Sequence, residues 1–263
     1  MPDLTVNDYA IHYEEFGAAE LPPLVLIHGL MGDANSVAPL AERLASTFHV
    51  IAPDAIGHGR STHPANFTLA DQGAMVNGLI TGLGYESAAV AGISMGSYLA
   101  AQAAILEPTR TNRLILIVGK AHGTTSSSAA YAASRGFDLS TLAPEEALAL
   151  MSEAVWSPHT SQEQRDELLQ AAAPDRTVLT PEEQGAVERS LAGFDLRPGL
   201  PTITAPTLVI SGEADGLNPP AAGRELADHI PNARFEVYEH SGHMLAYEEA
   251  DRLVADIVAF ASR

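Results

Sequence analysis

The chain contains no cysteine among its 263 residues. This absence excludes disulfide bonds, thiolate metal sites and a cysteine nucleophile, and it leaves the cellular compartment open. Basic residues are also scarce, because 14 Lys and Arg stand against 33 Asp and Glu, for a formal net charge of −19. A surface of this sign repels phosphate, so neither nucleic acid nor an anionic membrane is an expected partner.

Long hydrophobic runs are missing as well. No segment reaches the roughly 18 unbroken apolar residues of a membrane span, and the first ten residues, MPDLTVNDYA, lack the basic and apolar regions of a signal peptide. We therefore expect a cytoplasmic protein without a membrane partner. Hydrophobic residues make up 46% of the chain and charged residues 18%. This composition predicts a sizeable buried core.

Short apolar runs rich in β-branched residues alternate with helical patterns along most of the chain. Near-continuous apolar strands are typical of a parallel sheet that is covered on both faces. Five runs have this character: Leu24–His28, Val50–Asp54, Ala88–Ile93, Arg113–Gly119 and Thr207–Gly212. A sixth run, Arg234–His240, alternates more and is expected near an edge, and residues 4–16 predict a hairpin turning at Asn7-Asp8. The pattern predicts an α/β fold with a mostly parallel sheet and helices on both faces.

The alternation stops between about residues 121 and 201. Helical stretches with capping signals replace the strands there, with Pro144 at a first helical position and with Thr160 or Ser161 and Thr180 as caps. We interpret residues 121–201 as an inserted helical cap over a core formed by residues 1–120 and 202–263. The small polar segment AHGTTSSSAA at its start is expected to be a mobile hinge or a loop at the mouth of a site.

Ser94 lies in the sequence Gly92-Ile93-Ser94-Met95-Gly96, between a predicted strand and a predicted helix. A tight strand-to-helix turn leaves room only for hydrogen two residues before and after the serine, which accounts for both glycines. Such a turn exposes the serine oxygen above the sheet and near a helix N-terminus. We predict that Ser94 is a nucleophile and not a buried filler residue.

A serine nucleophile needs a base and an acid that orients the base. Asp215 and His243 follow the last two predicted strands, in the chain order Ser, Asp, His that this architecture uses. Glu213 is an alternative acid and His240 an alternative base, although a histidine that ends a strand is more often structural. No third ligand accompanies the two histidines, so no metal is expected.

The loop after the first parallel strand begins His28-Gly29-Leu30. Since a flexible glycine lets the next N–H point inward, the backbone groups of Leu30 and Met95 are the predicted donors of an oxyanion hole. His28 is interpreted as a loop brace. Asp54 and His58, in the loop after the next strand, are interpreted as structural hydrogen-bonding groups.

Five motifs, HGLMG, DAIGHGRS, GISMGS, GEADGLNPP and SGHMLAYEEADRLVADIVAFA, occur in the order found in the α/β-hydrolase superfamily, which the chain resembles over nearly its whole length. The C-terminal part and the sequence VWSP of the cap are similar to 3-oxoadipate enol-lactonases and related esterases. The resemblance implies an eight-stranded sheet, Ser94 as nucleophile, His243 as base and Asp215 as its orienting acid, without a cofactor. One departure is Ser97, where these relatives commonly have glycine.

The expected function is hydrolysis of a small to medium carboxylic ester or lactone through an acyl-enzyme. Trp156, the only tryptophan, is the predicted pocket wall among the apolar cap residues, which also include Phe194, and Ser97 is assigned to the substrate pocket with it. The alternatives that use the same triad are carbon–carbon bond hydrolysis, perhydrolysis and cofactor-free oxygenation. A slow small-molecule receptor or signalling regulator is the non-enzymatic alternative, and a homodimer is one candidate assembly.

Overall fold

The computed structural model of the chain describes residues 3–172 and 177–262. Its eight-stranded sheet has the order β1-β2-β4-β3-β5-β6-β7-β8. The strands are β1 Asp3–Val6, β2 Tyr9–Phe16, β3 Pro23–Ile27, β4 His49–Pro53, β5 Ala88–Ile93, β6 Thr111–Ile117, β7 Thr207–Gly212 and β8 Ala233–Tyr238. β1 and β2 pair antiparallel, and so do β2 and β4, whereas the six strands from β3 to β8 run parallel. All carboxyl ends of the parallel strands therefore meet at one edge.

Helices connect the parallel strands and also fill the long insertion between β6 and β7. They are α1 Ala34–Leu44, α2 Leu69–Gly82, α3 Met95–Leu106, α4 Ser127–Ser134, α5 Pro144–Val155, α6 Gln162–Ala172, α7 Pro181–Leu191, α8 Pro220–His229, α9 Leu245–Glu248 and α10 Ala250–Ala261. Local capping explains several starts. Asp33 caps α1 and Thr68 caps α2, each in a reciprocal capping box, and Thr180 with Glu183 does the same for α7.

The core lies on both faces of the sheet, because neighbouring residues of a strand point to opposite sides. In β3, Val25 and Ile27 belong to the apolar cluster on one face, and Leu24 and Leu26 belong to the cluster on the other. The first cluster includes residues of α2 and α3, and the second includes residues of α1 and α10. The predicted α/β class, with helices on both faces of a mostly parallel sheet, is confirmed.

Most predicted elements lie within a few residues of those in the structure. β5 and β7 have the predicted bounds, the hairpin turns at Asn7-Asp8, and β8 is an edge strand. The helical pattern of residues Glu248–Ala261 predicts one helix there, whereas α10 begins at Ala250, because the backbone of Glu249 leaves the helical region between α9 and α10. No helix in the described parts of the chain has the length and apolarity that crossing a membrane requires.

The insertion predicted as a cap contains α4 to α7 and, within its described residues, no strand of the sheet. Its residues 173–176 lie outside the described ranges. α7 packs on the body of the protein, since Ala186 and Val187 belong to the same apolar cluster as β3 and α3. The division into a core and a cap at residues 121 and 201 stays a prediction.

Candidate active site

Ser94 sits on the turn between β5 and α3 with φ 53° and ψ −114°. This left-handed backbone conformation is rare for a residue with a side chain and is typical of strained functional turns. Both neighbouring glycines are required. A Cβ on Gly92 would lie 2.1 Å from the Gly96 oxygen, and a Cβ on Gly96 would lie 2.3 Å from the Ile27 oxygen. The turn can therefore form only with glycine at both positions.

His243 lies between Ser94 and Asp215. Its Nδ1 is 2.8 Å from Oδ2 of Asp215, and its Nε2 is 2.9 Å from Oγ of Ser94. An ionised carboxylate only accepts hydrogen bonds, so Nδ1 carries the proton. Nε2 is then free to accept the Ser94 hydroxyl proton. This arrangement gives the serine a general base in hydrogen-bond contact and gives the base a fixed tautomer.

Asp215 is held by its own loop. Its side chain is fully buried, and Oδ1 accepts hydrogen bonds from the backbone N–H groups of Leu217 and Asn218, both at 2.9 Å. The Asn218 amide in turn donates to the Val118 carbonyl at 2.7 Å and to the Tyr98 hydroxyl at 3.0 Å. Asn218 was not among the residues predicted from the sequence. Its signal was position, since an amide three residues after a loop aspartate is suited to close that loop.

Leu30 and Met95 both line the cavity next to Ser94. Met95 is the first residue of α3, so its N–H lies at a helix N-terminus. Leu30 follows Gly29, whose added Cβ would lie 3.6 Å from the Ser94 Cβ, which shows how closely this loop approaches the serine. Both predicted oxyanion donors are therefore in the cavity that the serine faces.

His28 acts as a brace between two loops, as interpreted from the sequence. Its Nε2 accepts from the Ala55 N–H at 3.0 Å, and its Nδ1 donates to the Gly29 carbonyl at 2.8 Å. Full burial lowers the pKa of His28, so the ring stays neutral. Asp54 also has a structural role, accepting from the N–H groups of Ala34 and Arg60, both at 2.7 Å.

The family model of the alpha/beta hydrolase fold matches residues 22–250. The chain belongs to this family. The matched region contains six of the eight strands, β3 to β8, and the loops of Ser94, Asp215 and His243. The resemblance stated from the sequence motifs is thereby confirmed.

Relatives within the alpha/beta hydrolases include two curated enzymes and a solved structure. The chain is 29% identical over 242 residues to 3-oxoadipate enol-lactonase 2 of Acinetobacter baylyi, covering 90% of this chain and 88% of that one. It is 28% identical over 253 residues to the pimeloyl-[acyl-carrier protein] methyl ester esterase of Aliivibrio salmonicida, covering 90% and 91%. The enol-lactonase from Burkholderia xenovorans LB400 superimposes with a TM-score of 0.83 at 28% identity over both full chains. These findings show a hydrolase.

The cavity at this alpha/beta-hydrolase site has a volume of about 850 Å³. Ser94 and His243 line one part of this cavity, and the α4 N-terminal region and the end of α7 line another part. Phe194, which lies in the insertion predicted as a cap, also lines the cavity, and its ring packs on that of Tyr98 with centroids 4.7 Å apart. A cavity of this size admits a small to medium organic substrate.

Two predicted pocket residues lie elsewhere. Trp156 is 5% exposed and is not among the described residues that line the cavity, so the prediction of a pocket wall is wrong. Ser97 is 1% exposed, and its hydroxyl donates to the Ser94 carbonyl at 2.6 Å. Its position on the first turn of α3 points it toward the turn of Ser94 and not toward the cavity, so that prediction is also wrong.

Trp156 lies where α5 ends against the loops of Asp215 and His243. Two carbonyls that the end of α5 leaves unpaired accept hydrogen bonds from these loops: Ala154 accepts from the Gly216 N–H at 2.8 Å and Val155 from the Met244 N–H at 3.1 Å. The end of α5 therefore joins the loops of Asp215 and His243 in one junction, and the buried indole of Trp156 follows directly after it.

Glu248 reinforces this junction. One of its carboxylate oxygens accepts from the Ser157 N–H at 2.8 Å and the Thr160 hydroxyl at 2.6 Å, and the other accepts from the Gly242 N–H at 2.6 Å. Gly242 precedes His243. Glu248 was not predicted from the sequence, because two of its three partners, Ser157 and Thr160, lie about 90 residues away along the chain.

Glu213 and His240, the alternative acid and base, lie in the described part of the chain and are not hydrogen-bonded to the His243–Ser94 pair. Glu213 is exposed, and His240 is exposed with its ring 5.0 Å from that of His159. Across residues 3–172 and 177–262, no group of three or more His, Asp or Glu side chains is placed to hold a metal ion.

Proposed function

We propose that the protein is a serine hydrolase that cleaves carboxylic esters or lactones with Ser94, His243 and Asp215 as its catalytic triad. The observation that carries the proposal is the strained turn of Ser94, whose hydroxyl oxygen is 2.9 Å from Nε2 of His243, with Asp215 2.8 Å from the opposite ring nitrogen. A structural serine would not need this combination of strain, base and buried acid.

The reaction has two halves. His243 removes the Ser94 proton as the oxygen attacks the substrate carbonyl, and the Leu30 and Met95 N–H groups stabilise the oxyanion. The resulting imidazolium, stabilised by Asp215, returns the proton to the leaving alkoxide. Water activated by His243 then attacks the acyl-enzyme, and the acid leaves. No cofactor enters these steps.

The relatives support an ester or lactone as substrate class. Two are named enol-lactonases and one is named a methyl ester esterase, and all three cover most of this chain. The cavity of about 850 Å³ suits an acyl group of modest length. We propose a small-molecule substrate of this class.

The test is hydrolysis of p-nitrophenyl acetate, butyrate and octanoate by the wild type and Ser94→Ala. Loss of a nucleophile should lower kcat by roughly three or more orders of magnitude. Ser134→Ala, an exposed serine on α4, is the matched control and should keep full activity. A fluorophosphonate probe should label the Ser94 peptide of the wild type.

Equal hydrolysis by the wild type and Ser94→Ala would refute the proposal. If neither turns over these esters and the probe leaves Ser94 unlabelled, oxygen uptake and peroxide-dependent halogenation of a dye test the oxygenase and perhydrolase alternatives.

A further inference from the structure

Lys120 is the only lysine in the 263-residue chain. It lies three residues after the end of β6, at the carboxyl edge of the sheet, and it lines the same cavity as Ser94 and His243. The single lysine of the chain thus lies in the cavity of the candidate active site. The position therefore calls for a chemical explanation.

The ammonium group has no carboxylate partner within the described ranges. Its hydrogen bonds go to the Ser127 hydroxyl at 2.7 Å and, more weakly, to the Thr125 carbonyl at 3.4 Å. The group is half-buried, and burial lowers the pKa of Lys120. A half-buried cation without a counterion retains an unmet need for negative charge.

The hydrogen-bond network fixes this cation relative to the triad. The Ser127 hydroxyl, which accepts from Lys120, donates to Oδ1 of Asn218 at 3.1 Å. The backbone N–H of Asn218 binds the Asp215 carboxylate at 2.9 Å. The ammonium position is thus connected to the candidate catalytic carboxylate through two residues, Ser127 and Asn218. Such a connection is suited to holding one end of a substrate at a set distance from Ser94.

Other groups that favour an anion surround Lys120. Thr125, Ser126 and Ser128 line the cavity beside it, and the N-terminus of α4 begins there at Ser127. Hydroxyl donors and the positive end of a helix both attract an oxyanion. The acidic residue of the cavity lining, Glu188, is exposed and accepts a hydrogen bond from Gln184 at 3.0 Å.

We propose that Lys120 and the hydroxyls at the start of α4 form a subsite for a carboxylate of the substrate, remote from the scissile bond. The inference rests on the proposed function and narrows it to anionic esters or lactones. The net charge alone predicts the opposite, because a molecule with a formal charge of −19 repels anions. An anionic substrate can bind such a molecule where a local cation, here Lys120, offsets that repulsion. A charge-assisted contact of this kind gives the site preference for one end of the substrate.

The test compares two substrates with acyl chains of equal length, p-nitrophenyl hydrogen glutarate, which carries a free carboxylate, and p-nitrophenyl pentanoate, which is neutral. Lys120→Met keeps the aliphatic bulk and removes the charge. It should lower kcat/KM for the glutarate ester by at least about tenfold and that for the neutral ester by less than about threefold. Lys120→Arg should retain most of the preference.

Arg135→Met is the matched control, since it removes one positive charge from an exposed residue that lies outside the described cavity lining. It should leave both substrates unaffected. If Lys120→Met lowers both activities equally while Ser94-dependent hydrolysis persists, the subsite is wrong and the proposed function stands.

Calorimetric binding of glutarate to Ser94→Ala tests the subsite without catalysis. Binding that is lost on adding Lys120→Met supports the subsite even if no ester is hydrolysed. Absence of glutarate binding, together with no preference for the anionic ester, overturns it.

Discussion

The turn at Ser94 stores backbone strain that its neighbours must hold. A residue of this kind costs about 1–3 kcal/mol, and three hydrogen bonds oppose that cost. The Ser94 N–H donates to the Ile117 carbonyl at 2.9 Å, and the Ser94 carbonyl accepts from both the N–H and the hydroxyl of Ser97. Ser97 is therefore explained as a support of the turn. Its extra hydroxyl strengthens the conformation that exposes the Ser94 oxygen.

His58, like His28, is a buried histidine for which the structure predicts a pH effect. Burial, with a smaller contribution from the nearby His28 ring, lowers the pKa of His58 to about 3. Its Nε2 also has no hydrogen-bond partner within the described ranges. An imidazole that stays neutral when folded and takes up a proton when unfolded destabilises the fold as the pH decreases.

The pH window follows from the two pKa values. The stability contribution is fully present above the ordinary histidine pKa of 6.5 and is lost as pH falls from there toward about 3. One such group contributes a slope of up to about 1.4 kcal/mol per pH unit. Urea unfolding between pH 7.5 and 5 should show that His58→Asn has a shallower slope than the wild type. An unchanged slope would mean that His58 does not carry this effect.

At the scale of elements, the central strands of the sheet could be predicted well because they are apolar over most of their length. β5 and β7 are buried at nearly every position, which is what the near-continuous apolar runs indicate. The loops of Ser94, Asp215 and His243 followed from strand ends. The break at Glu249 between α9 and α10 could not be predicted, because residues 248–261 read as one continuous helical pattern.

The junction at the end of α5 could not be predicted either. The Ala154 and Val155 carbonyls have partners more than 60 residues away, and the Glu248 carboxylate joins the nearby Gly242 to Ser157, which is 91 residues away. Sequence patterns report which faces are apolar, but they do not report which distant loop fills an unpaired helix end. Trp156 was misplaced for this reason, since a large amphipathic ring suits both a cleft wall and a buried junction.

Trp156→Ala should therefore change stability and kcat more than KM. Removing a buried tryptophan costs about 3–5 kcal/mol, and loosening the Gly216 and Met244 contacts displaces the loops of Asp215 and His243. KM for p-nitrophenyl butyrate should stay within about threefold, because the indole does not line the cavity. Urea unfolding and steady-state kinetics measure both quantities.

Trp156→Phe is the conservative control, and it is informative even if the alanine variant fails to fold. It should keep most of the activity and the same preference among acetate, butyrate and octanoate esters. A changed chain-length preference in Trp156→Phe would instead indicate that the residue at position 156 lines the substrate pocket, as the sequence predicts.

For the molecule as a whole, the parallel sheet brings the site together and the insertion completes it. Loops after β3, β5, β7 and β8 contribute Leu30, Ser94, Asp215 and His243, and the residue after β6 that faces them is Lys120. This convergence could be predicted, since the carboxyl ends of parallel strands share one edge. The proposed role of Lys120 could not be predicted from the sequence. It rests on the position of the ammonium group in the cavity and on the lack of a carboxylate partner among the described residues, and no sequence motif reports either.

The formal net charge of −19 predicts a stability that increases with salt. Self-repulsion destabilises a compact state, and raising ionic strength shortens the screening length from about 30 Å at 0.01 M to about 8 Å at 0.15 M. Thermal unfolding in 0.01 M and 0.5 M NaCl should therefore show a higher Tm at the higher salt, by about 2–4 °C for each kcal/mol gained.

The same salt series at a pH close to the sequence pI of 4.7 is the internal control. Net repulsion is largely absent there, so the increase in Tm should shrink or disappear. An equal increase at both pH values would show that salt stabilises the protein through burial of apolar surface and not through charge. A decrease in Tm with salt at pH 7.5 would mean that local ion pairs, such as those of Arg60 with Glu14 and Arg197 with Asp195, outweigh the net repulsion.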